Sequence, residues 1–161
     1  NEHEVEDMLE SIREAKDLGA HGIVSGALSE SAELDIEVTK KMVKMAGPLP
    51  FTFHRAFDEC NDHVFALEKL RAIGVDRILS SGGLVRASEN PERISQLVKD
   101  SMGNPSIICC GGVRSSNISK LLEIEDAVEF HSAASLSDSG VNAEEVKNLR
   151  ELVHEDMGAD R

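Results

Sequence analysis

The run Phe51-Thr52-Phe53-His54-Arg55-Ala56-Phe57-Asp58 sets a histidine, an arginine and an acid directly behind a short alternating apolar stretch. Imidazole titrates near neutral pH, so His54 suits general acid or base work, or metal ligation through a neutral nitrogen. Arg55 can clamp a carboxylate or phosphate with its planar fork, or pair with Asp58, which can equally cap a following helix. Burying such groups without partners is costly, so packing alone gives no reason to gather them. His131 ends a second apolar run, Ala127 to Ala133, and is the candidate partner of His54. Strand alternation puts Thr52 and His54 on one parity, and Glu129 and His131 likewise, so the two imidazoles are expected to converge. His54, Arg55, Asp58 and His131 are the catalytic candidates.

Further chemistry is expected where the other apolar runs end, at Ser25, at Ser81 and Gly82, and at Ser132. Gly111-Gly112-Val113-Arg114-Ser115 is a glycine turn leading into an expected helix start, where backbone N–H groups can hold an anion or merely turn the chain. Cys60 and Cys110, with His54 and His131, are the soft and borderline donors that Cu(I) prefers. Adjacent strand residues face opposite ways, so Cys109 and Cys110 do not readily share one ion, and Cys109 reads as a small buried hydrophobe. His3, His21, His63 and His154 fall in helical or loop contexts and read as surface residues. Every lysine lies on an expected helix, which leaves a Schiff-base mechanism without its nucleophile. No Walker loop or dinucleotide fingerprint is present.

These groups need elements to position them. Val5, Met8, Leu9, Ile12, Ala15 and Leu18 follow helical spacing up to Gly19, and Gly22 to Leu28 is a short β-branched strand. Asp35 caps a second helix that stops at Gly47; Phe51 opens the next strand; Asp62 to Ile73 is a helix closed by Gly74. Arg77 to Ser81 is a strand, and Asn90-Pro91 starts a helix that reaches about Met102. Ser106 to Cys110 is a strand, Ser115 to about Glu123 a helix, Ala127 to Ala133 the last strand, and Ala143 to about Met157 the last helix. Leu18 to Gly26 echoes Ile73 to Gly82, as repeated βα units would. Strict alternation with apolar strands argues α/β with a parallel sheet. The expectation is a TIM-type barrel, incomplete with about five parallel strands, formed by residues 1–161 as a single domain; the alternative is an open flavodoxin-like sheet.

Thirty acids against 17 Lys and Arg give a net charge of −13, which repels nucleic acid and anionic membranes. No segment approaches the roughly 20 apolar residues of a membrane span, and the first residues are unlike a signal peptide, so a cytoplasmic location is expected. Three cysteines are an odd number for a disulfide framework and are expected to be reduced.

The stretch Gly47 to Asp58, together with Gly22 to Leu28, Arg77 to Gly82 and Glu129-Phe130-His131-Ser132 in that order, resembles the CutC copper-homeostasis family. The resemblance reaches to about Gly140. It implies a TIM-type barrel, a cytoplasmic protein, and a role in copper trafficking or tolerance through Cu(I). It also implies about three βα units ahead of the first helix, as a barrel of eight requires, so this chain reads as the carboxyl-terminal portion of such a barrel. Two functions compete: a copper-binding or copper-buffering protein, and an enzyme acting on a small anionic or phosphorylated metabolite at the strand ends. Whether a reaction is catalysed stays open. Unpaired sheet edges point to a homo-oligomer.

Overall fold

The computed structural model describes residues 2–136 and 140–159. Five parallel strands belong to one sheet in the order β1-β2-β3-β4-β5. A doubly wound sheet reverses its strand order at a switch point, whereas a barrel adds each strand beside the last. The unbroken sequential order removes the flavodoxin-like alternative and leaves the barrel-type winding. The chain divides into two compact units, Asn1–Leu79 with Ser101–Ser106, and Ser80–Asp100 with Ile107–Arg161.

In the first unit, α1 (Glu2–Asp17), α2 (Ile36–Ala46) and α3 (His63–Ile73) accompany β1 (Ile23–Ser25), β2 (Phe51–Phe53) and most of β3 (Arg77–Ser80). The helix starts follow the cap residues: Asp35 accepts from the Val38 N–H and Asp62 from the Phe65 N–H, both at 2.9 Å. Gly74, at φ +90°, closes α3 in the left-handed conformation that a Cβ disfavours. Parallel pairing sets Ile23 beside Phe51, Ser25 beside Phe53, and Phe53 beside Ile78. Phe51, Phe53, Phe57, Met42, Leu70 and Ile78 are buried and form the core of this unit.

The strand expected over Gly22 to Leu28 ends at Ser25. Beyond it the chain folds back: the Asp35 N–H donates to the Ala27 carbonyl, and Leu28 makes an antiparallel bridge to Leu34. Residues 27–34 are therefore a connection that delivers Asp35 to its cap position. Within β1, Ile23 is buried while Val24 is 61% exposed, so the strand has one covered and one open side.

In the second unit, α4 (Pro91–Ser101) and β4 (Ser106–Cys109) are followed by α5 (Ser119–Leu122), β5 (Glu129–Phe130) and α6 (Ala143–Ala159). Ile94, Leu97, Ile107, Cys109, Val113, Ile118 and Leu121 are buried. Here β4 pairs with β5 in parallel, Ile108 beside Glu129 and Cys109 beside Phe130. The helix expected from Ser115 starts four residues later, because Asn117 holds a turn: its Oδ1 accepts from the Arg114 N–H at 2.9 Å and its Nδ2 donates to the Gly112 carbonyl at 3.0 Å. Asparagine competing for local backbone groups disfavours a helix interior. The last strand is also shorter than expected, bounded before it by Asp126 at φ +66°.

Candidate functional site

At the carboxyl end of β2 the chain enters a 3₁₀ turn, Arg55–Glu59, and His54 caps it: its Nδ1 accepts from the Ala56 N–H at 3.2 Å. In the neutral imidazole this puts the proton on Nε2, so His54 presents a donor. Binding a metal through Nε2 would require moving that proton to Nδ1 and breaking the cap. The ring stands edge-on to Phe53, centroids 5.7 Å apart, and lies against Gly26, where an added Cβ would come within 2.8 Å of Nδ1. Gly26 is thus the residue that admits the imidazole.

Arg55 and Asp58 form an ion pair across the same turn, Nε to Oδ2 3.1 Å, with the Asp58 side chain 4% exposed and that of Arg55 46% exposed. The cap of α3 is Asp62, so Asp58 serves the turn instead of the helix. Cys60 is buried, its Sγ 3.8 Å from the Ala56 carbonyl. Burial, with the Asp58 charge adding to it, pushes the Cys60 thiol from 9.0 up to about 11. It is a thiol at neutral pH, and any metal must displace its proton. The Ser25 hydroxyl donates to Met42 Sδ at 3.3 Å.

In the second unit the turn after β4 is held by its own groups. Gly111 and Gly112 take φ of +88° and +62°, and the Gly111 carbonyl accepts from the Ala87 N–H at 3.0 Å. A Cβ on Gly112 would come within 2.9 Å of Arg86 Cγ. The expected helix-start anion position is filled by the protein: the Ser115 N–H donates to Glu145 Oε1 and its hydroxyl to Oε2, each at 2.7 Å. Glu145 comes from the third residue of α6, where Asn142 accepts from its N–H at 2.9 Å.

Arg114 binds the loop after β5. Its Nε donates to the Ser135 carbonyl at 3.0 Å, and Nη1 to the Val113 carbonyl at 2.7 Å and to Ser132 Oγ at 3.3 Å. All three acceptors are neutral. Ser132 Oγ in turn donates to the Val113 carbonyl at 2.6 Å and accepts from the Ala134 N–H at 3.0 Å. Ser81 donates to the Leu84 carbonyl; the Gly82 N–H donates to Ser80 Oγ, and its carbonyl accepts from Asn90 Nδ2, both at 3.0 Å. His131 is exposed, and its N–H extends the β4–β5 pairing by donating to the Cys109 carbonyl at 2.9 Å.

Cys60, Cys109 and Cys110 are buried and form no disulfide with one another. Burial pushes the Cys109 thiol up to about 12, a backbone hydrogen bond opposing it. Among the described residues, no group of three or more His, Cys, Asp and Glu is gathered closely enough to hold a metal ion. The sequence brings His54, Arg55, Asp58 and Cys60 to one turn; Gly111, Gly112 and Ser132 surround the Arg114 network. Arg114 and Glu145 were not singled out by residue type and spacing. An arginine directly after a glycine turn at a strand end was a usable signal for Arg114, whereas nothing local marks Glu145 as a partner of Ser115.

Sequentially ordered parallel strands, each followed by a helix or turn and carrying polar groups at their carboxyl ends, define a protein of the TIM-barrel type. The chain belongs to the CutC family, whose model matches residues 1–136. It is 42% identical over 142 residues to the copper homeostasis protein cutC homolog of Mus musculus, covering 88% of this chain and 52% of that protein. It is 41% identical over 133 residues to a CutC family protein of Parabacteroides distasonis, covering 83% of this chain and 55% of that one. The crystal structure of CutC from Streptococcus agalactiae superposes with a TM-score of 0.76 at 28% identity, covering 81% of this chain and 64% of that chain. The chain therefore spans about half the length of the curated relatives it matches. Among the described residues, no helix is long and apolar enough to cross a membrane.

Proposed function

We propose that this chain serves copper homeostasis in the cytoplasm by binding or buffering Cu(I), as the carboxyl-terminal portion of a CutC barrel. The observation that carries this reading is the 42% identity to a relative named for copper homeostasis. His54 and Cys60 in the first unit, and Cys110 and His131 in the second, are the proposed ligands, taken within each unit separately. Because the Cys60 proton must leave, Cu(I) affinity through that thiol rises by about tenfold per pH unit near neutrality. Titration of the reduced protein against a competing Cu(I) chelator tests this. Affinity equal to that of a His54→Ala, Cys60→Ala, His131→Ala variant would overturn it.

A second reading, an enzyme acting on a small anionic or phosphorylated metabolite, is supported by Arg114, whose positive charge meets only neutral oxygens among the described residues. His131 would act there as acid or base. Thermal-shift screening of anions, with Arg114→Ala as the comparison, separates it from the copper reading. Self-association is proposed through β1, an edge strand in the sheet order with Val24 open on it. Sedimentation of the whole chain tests that, and a monomer at high concentration would exclude it.

A further inference from the structure

The second unit contains a cleft of about 220 Å³, open to solvent, between β5 and α6. Its apolar wall is Val113, Ile118 and Phe130, faced by Leu149 and Val153 of α6. Val113 and Ile118 are each 1% exposed, so this wall is continuous with the core. Its polar wall is Ser132 with Arg150 and His154, which stand one turn apart on the same helix face. Arg150 and His154 are exposed, which puts them at the mouth. Neither has a carboxylate partner among the described residues, whereas the nearby Glu151 is engaged by Lys147 at 3.8 Å. In a chain of net charge −13, a rim that carries two basic side chains and no acid among the described residues is a local exception.

A cleft of about 220 Å³ that opens to solvent has room for an aromatic ring or a branched chain with a small substituent, its apolar wall covering one side of the ligand. The polar rim then selects the substituent, since guanidinium and imidazole donors match a carboxylate. We infer that this cleft binds a small organic acid with an aromatic or branched apolar body, held by Val113, Phe130 and Val153, with its carboxylate at Arg150 and His154. The site shares no residue with the proposed copper ligands, and Arg114 does not line it, so neither earlier reading decides it. Leu149, Arg150, Val153 and His154 also lie beyond the residues 1–136 that the family model matches.

Titration of the whole chain, followed by NMR, with phenylacetate, benzyl alcohol and inorganic phosphate tests the inference. Phenylacetate is expected to shift the signals of Val113, Ile118 and Val153 saturably, and to bind at least about tenfold more tightly than benzyl alcohol. Phosphate alone is expected to leave those signals in place. Arg150→Gln with His154→Gln, both at exposed positions that leave the fold intact, should bring acid and alcohol to equal affinity. Val153→Phe should fill the cleft and abolish both. Equal binding of acid and alcohol by the native chain, an unchanged preference in the Arg150→Gln, His154→Gln variant, or no saturable shift with phenylacetate would each overturn it.

Discussion

Glu145 places both carboxylate oxygens on Ser115, one on its N–H and one on its hydroxyl, each at 2.7 Å, and is itself 3% exposed. A turn whose composition advertises anion binding is therefore already supplied with an anion by α6. The contact fixes where that helix lies. Glu145→Ala leaves the half-buried Ser115 donors without their acceptor, which should cost about 1–3 kcal/mol. Glu145→Gln keeps one acceptor oxygen and should cost about 1 kcal/mol less. Urea unfolding of both variants measures the difference; equal and negligible effects would mean the pair contributes nothing.

Gly26 answers to a different constraint. A Cβ there would meet His54 Nδ1 at 2.8 Å and Phe53 Cζ at 2.9 Å, and both rings are held by their surroundings. Gly26→Ala should then displace the imidazole from its cap on Ala56 and destabilise the chain by about 1–3 kcal/mol. The His54 ring proton shifts in NMR report the displacement directly. Unchanged shifts with unchanged stability would show that the loop simply gives way.

The Arg55–Asp58 pair is asymmetric in exposure, and its two truncations should differ accordingly. Arg55 is solvated, so Arg55→Ala loses an attraction that water largely screens and should change stability by less than about 1 kcal/mol. Asp58 is 4% exposed, and Asp58→Ala removes the acceptor from the inside of the turn, at a cost of about 1–3 kcal/mol. Thermal or urea unfolding of the two variants tests the order. A larger loss from Arg55→Ala would point to a role for the guanidinium beyond this pair.

The parts of the fold that announced themselves were those governed by local chemistry. Asp35, Asp62 and Gly74 mark helix ends by their own backbone needs, and the structure uses each as expected. The barrel-type winding was legible because strands alternate with helices and keep sequence order. What misled was length: the strand after Gly22 and the helix after Ser115 end or begin where side chains take backbone partners, as Asn117 does with Arg114 and Gly112. The site was legible in part for the same reason. His54, Arg55 and Asp58 are neighbours in sequence and meet in one turn, whereas Ser115 and Glu145 are 30 residues apart and no periodicity links them.

Cys60 and Cys109 make stability depend on alkaline pH in a defined direction. Their thiols titrate at about 11 and about 12 in the folded chain against an ordinary 9.0, because burial disfavours the thiolate. The folded state therefore holds protons that the unfolded chain has already released. The contribution is complete below pH 9.0 and is lost as pH rises through about 11 for Cys60 and about 12 for Cys109. Stability should therefore decline progressively across this window. Cys60→Ser and Cys109→Ala should each flatten the decline, even where the substitution lowers stability at neutral pH. Chemical unfolding midpoints of the reduced protein between pH 8 and pH 11 check the slope. A profile that neither substitution alters would mean that other groups govern alkaline unfolding.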